Sequence, residues 1–184
     1  SILLKEGPPS PAETEIMRGH PRIGYDILKG SPSKYLSMGA TIALGNHEMK
    51  GDFGGHYDYF FSHPRYYSFD WGGAHVLVLH PFDGPVVTEN GPSVSSGCRQ
   101  YRFASDDLKK YRDKKWLIVA MHFPLHSTGD FNINKMLIRQ YRSLFKKNRV
   151  DVVLGGHDHS FDSFHSDGDE PWGGTWYIVC GTGG

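Results

Sequence analysis

Three short stretches carry the residue types that could do chemistry. Gly45-Asn46-His47-Glu48 follows an apolar run, His122 ends the run WLIVAMH inside AMHFPLHS, and His157 and His159 follow VVLGG in GGHDHSF. Neutral imidazole nitrogen suits Zn, Fe and other first-row metals, and an amide oxygen suits harder cations. Taken singly, each stretch has an ordinary explanation: Gly-Asn makes common turns, and His-x-His recurs by chance in a chain with 11 histidines. Taken together, each in turn after an apolar run, they point to a metal site.

The elements that must position them can be read from the pattern of apolar residues. ATIALGNH (40–47), AHVLVLH (74–80), WLIVAMH (116–122), VDVVLGGH (150–157) and TWYIVCG (175–181) each read as a strand, apolar enough to be covered on both faces. YYSFDW (66–71) and Gly72-Gly73 read as the first arm and turn of a hairpin leading into AHVLVLH. Two helices are expected between the later strands. One starts at Ser105 as N-cap, with Asp106 and Asp107 in its first turn. The other runs over 134–148, with Leu137, Tyr141, Leu144 and Phe145 facing the sheet. This is an α/β arrangement, and in an open α/β sheet the side chains beyond the carboxyl ends of the strands share one crevice. His75 and His80 read as hydrogen-bonded structural residues. Residues 1–34 read as an irregular, Pro-rich segment, and 81–104 as a turn-rich surface excursion.

Composition narrows the function. At 184 residues the chain suits one domain with a real core. Acidic and basic residues balance at 20 each, which argues against nucleic acid as the main partner. No apolar run is long enough to span a bilayer. Cys98 and Cys180 lack CxxC spacing and are open to one bridge or two thiols.

LGNHE, AMHFPLHS and GGHDHSF resemble the last three of the five motifs of calcineurin-like metallophosphoesterases, and the flanking YYSFDWGGAHVLVL and TWYIVCGTGG resemble purple acid phosphatases. The resemblance covers about Ser33 to Gly184. It implies an αββα sandwich of two mixed sheets flanked by helices, here lacking its first βαβ portion, with the family domain over 35–184. It also implies a hydrolase of phosphoesters, acting as an acid phosphatase on a small molecule or phosphoprotein. The family's dinuclear site holds Fe, Zn or Mn. Asn46, His122 and His157 would ligate one metal and His159 the other. His47 would bind the phosphate or protonate the leaving alkoxide, Glu48 would brace the site from outside it, and His126 would face the substrate. A secreted or lysosomal location is suggested on the same ground.

The family's first two motifs, Asp-x-His or Asp-x-Gly and then Gly-Asp, have no counterpart here. The only aspartate before Asn46 is Asp26, in IGYDILKG. Without those carboxylates the chain offers imidazoles and one amide, with no negative charge to hold two cations about 3.5–4 Å apart. One metal at most is expected from this chain alone. The missing motifs would lie on an absent N-terminal segment or second chain, or have been lost. Loss would leave a catalytically impaired relative with a binding or structural role. A phosphodiesterase or nuclease of the same superfamily is the remaining alternative.

Overall fold

A computed structural model describes residues 64–80, 97–129 and 135–181, together with Ser10, Ala12, Gly55 and Asp58. The chain divides into two compact units, Ser1–Ile42 and Ala43–Gly184, and the second holds all the strands and helices discussed below. They are β1 (Tyr67–Trp71), β2 (Ala74–Leu79), α1 (Arg99–Lys110), β3 (Trp116–Met121), α2 (Lys135–Leu137), α3 (Ser143–Asn148), β4 (Val152–Gly155), β5 (Phe161–Ser166) and β6 (Thr175–Cys180). A π-helical segment, Ile138–Arg142, joins α2 to α3.

The strands form one mixed sheet in the order β1-β2-β3-β4-β6-β5. β2, β3, β4 and β6 run parallel, and β1 and β5 close the two edges antiparallel. This mixed α/β sheet is the half of the expected architecture that the described residues contain. The β1–β2 hairpin turns at Gly72, whose φ of 55° lies where glycine carries no Cβ penalty.

The two faces of the sheet differ. On one, Leu77, Leu79, Leu117, Val119, Met121, Val153, Tyr177 and Val179 are buried, with α1 lying on β2 and α3 against α1. Leu137, Tyr141, Leu144 and Phe145 are all buried, as their helical spacing predicts. On the other, the register aligns Trp116 with Ala74, Leu154 with Ala120, and Trp176 with Val152. Phe161 pairs with Cys180 on that same side. These four large residues are 48% (Trp116), 40% (Leu154), 46% (Trp176) and 68% (Phe161) exposed, so the second face is apolar and open along β3 to β5, while Ala74 and Val78 on β2 are buried.

Two expectations are corrected. The first helix starts at Arg99, with Cys98 as N-cap, so Ser105 lies mid-helix and residues 99–104 are not part of a loop. Gln100, Ala104, Asp107 and Leu108 form the buried stripe, and two polar members at positions where apolar residues are expected conceal the first turns from a hydrophobicity pattern. β5 was not among the strands expected from apolar runs: FDSFHS pairs along its whole length with β6. Residues 40–47 and 81–96 fall outside the described residues.

Both residues expected to be structural have that role. His75 is buried, with Nδ1 2.6 Å from Asp70 Oδ1 and Nε2 2.7 Å from Asp107 Oδ2, and its ring stacks on Tyr111. Gln100 accepts the His80 backbone N–H at 2.7 Å and donates to its carbonyl at 2.6 Å, pinning the end of β2 to α1.

Candidate metal centre

The site is built where two neighbouring parallel strands end. β3 and β4 are in register at Ala120 and Leu154, so the chain leaving β3 at His122 and the chain leaving β4 at Gly156-His157 emerge side by side. The Gly156 N–H donates to the His122 carbonyl at 2.8 Å, extending the ladder one step past the strands. Gly155 is needed for that approach, because a Cβ there would sit 2.9 Å from Pro124 Cβ.

This backbone geometry brings two of the sequence-nominated ligands together. His122 Nε2 and His157 Nδ1 are 3.2 Å apart. Two metal–nitrogen bonds of about 2.0–2.1 Å at a tetrahedral angle place their nitrogens roughly 3.3 Å apart. The pair therefore fits two adjacent corners of one coordination shell. His157 holds φ at 65°, a left-handed conformation uncommon for a residue other than glycine, and local strain of this kind tends to gather at functional sites. Phe123 packs against the His157 ring with centroids 4.1 Å apart, supplying an apolar wall to the pair.

His159 is exposed, and the intervening Asp158 is buried. Asn46, His47 and Glu48 lie outside the described residues. His126 packs edge-on against Tyr177, with centroids 5.1 Å apart, and near Phe164 at 5.9 Å. Burial, with the Arg142 charge as a smaller cause, holds its imidazole below the usual histidine range, so the neutral ring is favoured there. Among the described residues, no group of three or more His, Cys, Asp or Glu side chains is arranged to hold a metal ion. Cys98 and Cys180 are both free thiols, which resolves the alternative left open by their spacing.

One participant in the site's framework escapes the sequence pattern. Asp162, on β5, accepts hydrogen bonds from Thr128 and Ser127 in the segment after His122, and from Ser160 in the turn after His157. Thr128, through its hydroxyl and then its backbone N–H, is the main cause holding the Asp162 carboxyl below the usual range. Its signal in the sequence is slight: one carboxylate in a run, SFDSFHS, that alternates polar and aromatic residues.

Comparison with known proteins identifies the family. The family described as Calcineurin-like phosphoesterase matches residues 22–161, about three quarters of the chain. Purple acid phosphatase 21 of Arabidopsis thaliana is 32% identical over 126 residues, which is 65% of this chain and 26% of that protein. The cyclic di-GMP phosphodiesterase response regulator RpfG of Xanthomonas campestris is 48% identical over 48 residues, covering 26% of this chain and 13% of that one. The solved structure of purple acid phosphatase PPD1 from yellow lupin seeds superposes with a TM-score of 0.61 at 22% identity, over 77% of this chain and 28% of that one. The chain thus spans about a quarter of the length of the purple acid phosphatases it matches. A family match across both histidine strands and a shared mixed-sheet fold lead to one conclusion: the chain belongs to the calcineurin-like phosphoesterase family.

Proposed function

We propose that this chain carries part of the active site of a metal-dependent phosphoester hydrolase, acting as an acid phosphatase on phosphomonoesters of small molecules or phosphoproteins. The observation that carries this reading is the His122–His157 pair, 3.2 Å apart at the ends of adjacent parallel strands.

His122, through Nε2, and His157, through Nδ1, would hold one metal together with the Asn46 amide oxygen, and His159 would hold a second. Iron, zinc and manganese are the candidates. Such ions supply charge neutralisation and an activated water to phosphoester hydrolysis. His47 would orient the phosphate and deliver a proton to the departing alkoxide, work suited to an imidazole near its ordinary pKa. Glu48 would brace the loop, and His126 would contribute to the substrate side through its neutral ring. Residues 35–184 would form the family domain and 1–34 a separate leading segment. A secreted or lysosomal setting is part of the same proposal and rests on resemblance alone. No helix among the described residues is long and apolar enough to cross a membrane.

One observation favours a second reading. Asp26 is the only aspartate ahead of Asn46, so the carboxylates of a dinuclear centre are not supplied by that stretch. A fold relative that binds without hydrolysing would have this composition.

Aryl phosphate hydrolysis by the complete gene product, loaded in turn with Fe, Zn and Mn, separates the two. The hydrolase reading expects turnover that His157→Ala abolishes while the circular dichroism spectrum is kept. Inactivity at full metal loading would leave the binding role.

A further inference from the structure

Asp162 lies outside the nominated ligand set, yet it ties together the two segments that carry it. One carboxylate oxygen accepts the Thr128 hydroxyl at 2.5 Å. The other accepts the Thr128 backbone N–H at 3.1 Å, the Ser127 hydroxyl at 3.3 Å and the Ser160 hydroxyl at 3.1 Å. Four donors thus converge on this carboxylate, three of them on one oxygen. Asp162 itself is fixed in the sheet, paired with Val179 across β5 and β6.

The consequence is geometric. The segment leaving β3 carries His122 at its start and Ser127 and Thr128 five and six residues on. Its near end is held by the sheet and by the Gly156–His122 backbone bond. Its far end is held by Asp162. Ser127 Oγ further accepts the Gly129 N–H at 3.0 Å, making a tight turn at the clamp. Gly129 then packs on Asp158, where a Cβ would come within 2.9 Å of the carboxyl carbon. The segment that carries His122 is therefore seated on the turn that carries His157.

We infer that Asp162 is a positioning residue: by clamping Ser127 and Thr128 to the turn after β4, it sets the separation of His122 and His157 and so the affinity of the pair for a cation. The inference rests on the metal-site reading above, and the test separates the two. Zinc affinity of the complete chain is measured by competition with a chromophoric chelator, alongside the visible band of the cobalt(II) form. Asp162→Asn and Thr128→Val are each expected to weaken zinc binding about 10-fold, the scale seen when residues supporting metal ligands are removed, and to shift the cobalt band. The double variant should lose no more than the worse single, because both changes open one clamp.

A purely structural Asp162 would lower the melting temperature and leave zinc affinity and the cobalt band of the folded protein unchanged. That result overturns the inference, as do additive losses in the double variant. Should Asp162→Asn fail to fold, Thr128→Val alone decides, since it keeps the carboxylate and removes one donor. If the parent chain binds no zinc through His122 and His157, the metal-site reading falls first and the inference with it.

Discussion

His75 and Asp107 meet 2.7 Å apart in the interior, joining β2 to α1 where each is a polar member of an otherwise apolar buried face. Ser68 from β1 donates to the other Asp107 oxygen at 2.8 Å. At the far side of the imidazole, Asp70 is held by Lys114, whose hydrogen bond is the main reason the Asp70 carboxyl lies below the usual range. Three elements thus share one polar knot.

Breaking that knot from the helix side strands a buried imidazole. Asp107→Ala is expected to cost about 2–3 kcal/mol, the penalty for leaving a buried polar ring nitrogen without its partner. Ser68→Ala should cost only about 1 kcal/mol, a single hydrogen bond. Urea unfolding of both variants checks the ordering; equal losses would show that Asp107 acts through Ser68 alone.

The half-buried His126 sets an acid sensitivity. Its imidazole is held below the usual range by burial, so the unfolded chain takes up the proton more readily than the folded one. Stability from this group is complete above the ordinary imidazole pKa of about 6.5 and is lost as pH falls from there through the lower folded pKa. His126→Phe, which keeps a ring beside Tyr177 and Phe164, should flatten the melting-temperature profile between about pH 7.5 and pH 5. A variant with the parent's slope would assign that sensitivity to other histidines.

Asp151 gives the opposite sign. Burial raises its carboxyl above the usual range, against the Leu117 backbone N–H it accepts at 2.7 Å. The folded state therefore favours the protonated acid, and its contribution to stability is lost as pH rises through the folded pKa. Asp151→Asn keeps an acceptor for Leu117 and removes the charge. It is expected to raise the melting temperature at neutral pH, with the gain shrinking in acid; a uniform loss at every pH would contradict this.

At His157 the side chain and the backbone can be separated by substitution. Glycine adopts φ near 65° freely, whereas alanine pays about 1 kcal/mol. His157→Gly should be more stable than His157→Ala by that amount in the metal-free protein, although both lose the ligand. Thermal unfolding without metal, followed by zinc titration, reads the two effects independently.

Much of this was legible in the residues themselves. Strands 74–79, 116–121 and 175–180 announce themselves by unbroken apolar runs, although β3 and β6 are covered on one face only, with Trp116 and Trp176 exposed on the other, and His122 and His157 follow from where such runs stop. The start of α1 was hidden because Gln100 and Asp107 occupy buried positions, and only the fold supplies their partners, the His80 backbone and His75. β5 was hidden for a related reason. Edge strands bury less, so FDSFHS carries no apolar run, and Asp162 within it has meaning only once Thr128 is folded against it.

The open face of Trp116, Leu154, Phe161 and Trp176 bears on the protein as a colloid. Twenty basic and twenty acidic residues leave no net charge at pH 7, so nothing electrostatic keeps copies apart while a broad apolar surface draws them together. Neutral buffer is therefore the worst place to concentrate this chain. Mild acid gives the chain a net positive charge and restores mutual repulsion. The gain in solubility comes at the pH where His126 begins to work against the fold.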